Sequence, residues 1–314
     1  MSTQTRLKET GTASAQTATT WSKVADRLSS YCALIKSLQT LLLLTTGIAG
    51  YLTARPHSAS PVEVALMLLS LFAAISGTTA LNMVFDRDID AQMERTAERP
   101  VASGAVSASE AALFGGILVA LGLGIALWMS PVFAVVIAAG AALDLLVYTV
   151  WLKRRSPWSI VFGGISGGMP ILAGRALGIG RVDGLGILLA LSVLTWIPAH
   201  IMTLAMKYAD DYRRAGVPTW PTVHGFDSAR RFIALANGLR IGALIAAGWL
   251  LPICQGDCVH PYSLGLLGVS GTAMLGLSLW AAWRPSARLN YALFKVASVH
   301  MLGSMVLLTL GALL

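Results

Sequence analysis

Apolar stretches about as long as a bilayer is thick, each closed by a short polar segment, follow one another along most of the chain. About 20 apolar residues at 1.5 Å per residue cross the hydrocarbon core. Runs without an acidic or basic side chain cover 37–54, 65–85, 184–206, 259–283 and 296–314. The run 111–143 is too long for one span, and Met129-Ser130-Pro131 divides it into two helices joined by a tight turn. Segment 158–174 is apolar but glycine-rich, and 232–251 carries one charge, Arg240. The pattern predicts nine helices, over 33–53, 63–85, 108–128, 131–151, 158–177, 185–207, 229–251, 261–283 and 291–313. The fold class is therefore an all-α, polytopic integral membrane bundle.

Composition supports this. Charged residues make up 12% of the chain, against about 25% in a soluble domain, too few to cover a water-facing surface. The net charge of +8 would invite a nucleic-acid reading if it were spread over one face, but its distribution is that of a topology signal. Lys and Arg cluster in alternate loops: Arg6 to Arg27, Arg87 to Arg99, Lys153 to Arg155, Lys207 to Arg231, and Arg284 with Arg288. Only Arg55, Arg175 and Arg181 remain for the other side. The N-terminus and the basic loops are expected on the cytoplasmic side of the cell membrane, and nucleic acid is not an expected partner. Residues 1–28, rich in Ser, Thr and Ala, read as a disordered cytoplasmic tail, and 29–314 as one membrane domain. Cys254 and Cys258 fall in an outer loop where a disulfide is feasible.

Two cytoplasmic loops hold the chemistry. After the second helix, Asn82, Asp86 and Asp90 recur every four residues, so they share one helical face. Carboxylates stacked on one face repel each other, and an ordinary solvated loop has no need for the asparagine in register. Oxygen ligands so spaced suit Mg²⁺, which binds through one or two carboxylates and substrate phosphates. Arg87, Arg95 and Arg99 offer further phosphate neutralisation. After the sixth helix comes Lys207-Tyr208-Ala209-Asp210-Asp211-Tyr212-Arg213-Arg214, again adjacent carboxylates among bases. If the chain forms two similar halves, these loops face each other over one cavity, where two metal-bearing sites can grip a diphosphate while its C–O bond breaks.

These segments carry a family likeness. With Tyr148-Thr149, Leu152-Lys153-Arg154-Arg155-Ser156-Pro157, Gly167-Gly168-Met169-Pro170 and Val223-His224-Gly225, the chain resembles the UbiA superfamily of intramembrane prenyltransferases, and within it the haem O synthase branch. The resemblance implies a UbiA-like bundle with its cavity open to the cytoplasm. Asn82, Asp86, Asp90, Asp210 and Asp211 are implied as metal and diphosphate ligands, with Lys153, Arg154 and Lys207 around the phosphates. Lys36 matches a basic position near the phosphate, and Tyr148, Tyr212 and Arg214 are implied in substrate binding. The implied reaction is Mg²⁺-dependent transfer of farnesyl from farnesyl diphosphate to a vinyl group of haem B, giving haem O. Haem A synthase or oxidase assembly proteins are implied partners in the bilayer. A quinone precursor or a (bacterio)chlorophyllide is the alternative acceptor, and an ion-coupled secondary transporter the reading from another class.

Three positions depart from the family pattern. Pro198-Ala199-His200-Ile201-Met202 keeps a histidine but lacks the aromatic pair that follows it in the family, Arg175 replaces a tryptophan, and Asp144 stands where an apolar or tyrosine side chain is expected. His200 is the candidate for acceptor contact, and Arg175 for an acceptor carboxylate such as a propionate. An ionisable group inside a span is a functional candidate.

Overall fold

The computed structural model describes residues 25–55, 57–255 and 261–313, and all the regular structure in them is helical. In chain order the helices are α1 (Ala25–Leu34), α2 (Ser37–Leu52), α3 (Pro61–Phe85), α4 (Arg87–Asp90), α5 (Ala108–Met129) and α6 (Pro131–Ala142). A π-helical segment, Leu143–Leu152, continues α6. Then follow α7 (Ser159–Ile179), α8 (Gly184–Lys207), α9 (Ala209–Arg214), α10 (Trp220–His224), α11 (Phe226–Gln255), α12 (Pro261–Trp283) and α13 (Ala287–Leu313). Eight helices among the described residues are long and apolar enough to span a membrane, and the count is nine if α1 and α2, bent by 49°, are taken together as one span. The tail expected over 1–28 lies outside the described residues up to 24, and its last residues belong to α1. The Cys254 and Cys258 side chains also lie outside them.

Local sequence explains where the helices start. The first N–H groups of a helix have no partner within it and need an acceptor. Ser60 accepts from the Glu63 N–H and Pro61 takes the first helical position of α3. Ser107 and Glu110 form a reciprocal capping box for α5. Ser130 ends α5 and caps α6, with Pro131 at the start, so one residue makes the turn that divided the long apolar run. Asp183 accepts from the Gly186 N–H at 2.8 Å and opens α8.

Consecutive long helices pack side by side, and α13 returns to α2 to close the circle. One apolar core joins α8, α11, α12 and α13; a second joins α2, α3, α6 and α7. Between α2 and α7 the backbones nearly touch: a Cβ on Gly50 would stand 2.0 Å from the Ile171 carbonyl oxygen, and one on Gly174 2.0 Å from that of Gly47. Membrane helices associate by such small-residue seams, since lipid offers no hydrophobic drive between them.

Two buried arginines sit in this frame. Arg175 does not line the cavity within the bundle. Its guanidinium donates to both Asp183 carboxylate oxygens, at 2.7–3.0 Å, and to the Thr53 carbonyl at 2.9 Å. It lies near the C-terminal end of α7, about 24 Å along the helix from Ser159 at 1.5 Å per residue, so its expected role in substrate binding is replaced by tying α7 to the start of α8 and the end of α2. Burial works against the Asp183 carboxylate, yet the Arg175 guanidinium and the Gly186 N–H hold it below its usual range. Arg240, 1% exposed, donates to His300 Nδ1 at 2.8 Å and towards Ser304 Oγ at 3.4 Å. Among the described residues no carboxylate pairs with it.

Candidate functional site

A cavity of about 440 Å³ opens within the bundle, its apolar wall including Leu71, Ile137, Met169 and Trp196 and its polar end drawn from the first acid loop, with Tyr212 reaching in from the second while Asp210 and Asp211 stay outside the lining. The first loop behaves as its spacing predicts. Asp86 N–H bonds to the Asn82 carbonyl at 2.9 Å and Asp90 N–H to that of Asp86 at 2.8 Å. The three residues thus climb one helical face, although α3 ends at Phe85 and α4 takes over beyond Asp86. Asp86 and Asp90 are 3% and 2% exposed. Lys153, at the end of the π segment, donates to Asp86 Oδ2 at 2.5 Å. Arg99 grips both oxygens of Asp90, at 2.9 and 2.7 Å. Each buried carboxylate has a cation, as burial of charge requires.

Asn82 is held from a third element. Its amide N–H donates to Asp144 Oδ2 at 2.6 Å, and its carbonyl oxygen accepts from Thr149 Oγ1 at 2.9 Å. Ser166 on α7 approaches the other oxygen of Asp144 at 3.5 Å.

Arg95 links the two loops, donating to the Tyr212 hydroxyl at 3.4 Å with its guanidinium 5.7 Å from the Tyr208 ring centroid. Asp211 is buried and pairs with Arg214, whereas Asp210 is 86% exposed and pairs with Arg213. Lys36, Asn82, Asp86, Asp90, Arg95, Arg99, Tyr148, Lys153, His200 and Tyr212 line the cavity. Lys36 reaches it from the bend between α1 and α2, where its backbone is left-handed, with φ 43°. His200 Nδ1 lies 3.1 Å from Ser298 Oγ, and its ring stacks on Phe294 at 4.7 Å. Arg87, Arg154 and Lys207 are exposed. Arg154 is bidentate to Asp88 at 2.6 Å and holds that carboxyl down at about 2. The Lys207 ammonium sits 5.0 Å from the rings of Tyr208 and Tyr291.

Among the described residues no three His, Cys, Asp or Glu side chains converge to hold a cation unaided. Two carboxylate oxygens, Asp86 Oδ1 and Asp211 Oδ2, are nevertheless buried with no hydrogen-bond partner. A buried oxygen left so is costly, and one such oxygen on each loop fits Mg²⁺, which takes few protein ligands and the rest from phosphate and water.

A match to the model of the UbiA prenyltransferase family spans residues 42–301, from α2 to α13. The chain belongs to that family.

Within it, the chain is 43% identical over 215 residues to a protohaem IX farnesyltransferase of Korarchaeum cryptofilum, covering 68% of this chain and 72% of the relative. It is 36% identical over 296 residues to that of Desulforudis audaxviator, covering 93% and 92%. Among solved structures, a digeranylgeranylglyceryl phosphate synthase matches with a TM-score of 0.73 at 20% identity, over 91% of this chain and 99% of that one. A UbiA homologue from Archaeoglobus fulgidus bound to GPP and Mg²⁺ gives 0.61 at 15% identity, over 89% and 99%. At these identities the structures show the UbiA fold.

Sequence reasoning singled out Asp144 without its partner, because Asn82 lies 62 residues earlier. It missed Thr149 as a contact of Asn82, since α-helical periodicity turns residues five apart to different faces. It missed Phe294 and Ser298 beside His200, which no local motif marks.

Proposed function

We propose that this UbiA family member transfers a farnesyl group from farnesyl diphosphate to a vinyl group of haem B, giving haem O and pyrophosphate. The observation that carries the reading is one cavity whose polar end holds Asn82, Asp86 and Asp90 of the first acid loop and Tyr212 of the second, with a buried unpaired carboxylate oxygen on each loop, at Asp86 in the lining and at Asp211 beside Tyr212. The names of the protohaem IX farnesyltransferase relatives supply the acceptor. Asn82, Asp86, Asp90 and Asp211 would hold Mg²⁺, which when bound supplies charge neutralisation to the departing diphosphate. Lys36, Arg95, Arg99 and Lys153 bind the phosphate oxygens and stabilise the negative charge that grows as the C1–O bond breaks. The prenyl tail runs along the apolar wall. The vinyl carbon of haem B then bonds to C1, and water adds to the resulting cation with loss of a proton, giving the hydroxyethylfarnesyl group. The wall must exclude water until that step. His200, its Nδ1 engaged by Ser298, presents its other nitrogen to the acceptor. The Lys and Arg asymmetry supports a cytoplasmic mouth.

The test is mass spectrometry of haem extracted from cells that otherwise make only haem B and now express the chain. A mass increase equal to one farnesyl group plus one hydroxyl is expected, the vinyl group having become hydroxyethylfarnesyl. Unchanged haem, together with a prenylated quinone precursor or chlorophyllide, would overturn the acceptor assignment and leave the reaction class standing.

A further inference from the structure

The amide of Asn82 is gripped at both ends by one helix, and that helix is π-wound. Residues five apart on an α-helix differ by about 140° around the axis, at about 100° per residue. In a π-helix the i→i+5 hydrogen bond brings them back to about one turn, as the Lys153 N–H bond to the Tyr148 carbonyl shows at 2.8 Å. Asp144 and Thr149 are five apart within Leu143–Leu152. They therefore share a face, and both meet the Asn82 side chain, Asp144 on its nitrogen and Thr149 on its oxygen.

We propose that the π segment fixes the orientation of the Asn82 amide, with Asp144 and Thr149 as positioning residues for the diphosphate and metal site. An asparagine amide is nearly symmetric in shape, so its flip state is set by its partners. A carboxylate only accepts and so takes the NH₂ end. The Thr149 hydroxyl donates to the oxygen, and one lone pair of that oxygen stays available. Without the clamp the NH₂ group, which repels a cation, competes for the same place. Asp144 itself touches no reacting atom. The proposal rests on the reading of Asn82 as a ligand, and its test separates the two.

The binding of Mn²⁺, as a stand-in for Mg²⁺, is measured by electron paramagnetic resonance with inorganic pyrophosphate present, on purified protein of checked melting temperature. Asp144→Asn keeps the shape but can present either end to Asn82, and is expected to weaken Mn²⁺ binding at least fivefold, with Thr149→Val acting in the same direction. The double variant Asn82→Asp, Asp144→Asn restores a donor opposite an acceptor and removes the flip, so its binding is expected to return towards that of the parent. Asp86→Asn serves as the reference. If Asp86→Asn weakens binding while Asp144→Asn and Thr149→Val leave it unchanged, the clamp is wrong and the metal site stands. If Asp86→Asn also has no effect, the metal reading of the loop fails, and the clamp with it.

Discussion

Asp210 and Asp211 are neighbours in the chain with opposite surroundings. The first stands in solvent against Arg213, and the second is buried against Arg214 with one oxygen unpaired. The sequence offers them as equal ligands, because nothing in Lys207-Tyr208-Ala209-Asp210-Asp211-Tyr212 says which side of α9 faces inward. Burial separates them. Asp211→Ala is expected to lower the steady-state transfer rate about a hundredfold, the scale of losing a group that stabilises charge in the transition state. Asp210→Ala should lower it several-fold at most, since an exposed pair contributes little. Equal losses in the two variants would contradict this assignment. Legibility at this scale follows distance along the chain. The Asn82, Asp86 and Asp90 ladder was readable because its spacing is its geometry, whereas the pairings of Lys153 with Asp86 and Asp144 with Asn82 join residues more than sixty apart.

The helices were legible for a different reason. Their lengths come from the thickness of a bilayer and their starts from caps such as Ser60-Pro61 and Ser130-Pro131, both local properties. The π winding of 143–152 was not legible. In a span apolar all round, an extra residue per turn disturbs no pattern of polar and apolar positions. The bend at Lys36 was hidden as well, since a left-handed conformation is uncommon outside glycine and nothing beside this lysine announces it. The glycine-rich stretch of α7 allows close helix contact, with Gly168 against the Ala190 carbonyl oxygen on α8. The tightest approaches, at Gly50 and Gly174, join α2 to α7 across more than a hundred residues.

For the molecule as a whole, consecutive helices close into a circle, and the acid loop that follows α3 and Tyr212 of the loop that follows α8 meet at the polar end of the cavity within it. The expected orientation has its own test. A cysteine introduced at Arg213 should react with an impermeant thiol reagent only after the membrane is opened, and labelling in intact cells would put the acid loops on the opposite face. Arg240 leads to a different kind of consequence, in how the protein is made. Its acceptor, His300, lies 60 residues further along, on α13, so α11 emerges from the ribosome before the side chain that receives its guanidinium exists. An arginine at a helix centre costs about 2.5–3.5 kcal/mol on insertion scales, and the best window of α11 has a mean hydropathy of only 1.5 against 2.2 for α5. Translocation of α11 should therefore be deferred until α13 follows it. A chain stopped after residue 283 is expected to leave α11 largely uninserted, read from glycosylation of a tag beyond it in microsomes, while extension to 313 restores insertion. Equal glycosylation of both lengths would mean that α11 enters the bilayer alone. Otherwise a helix synthesised later decides whether an earlier one stays in the membrane.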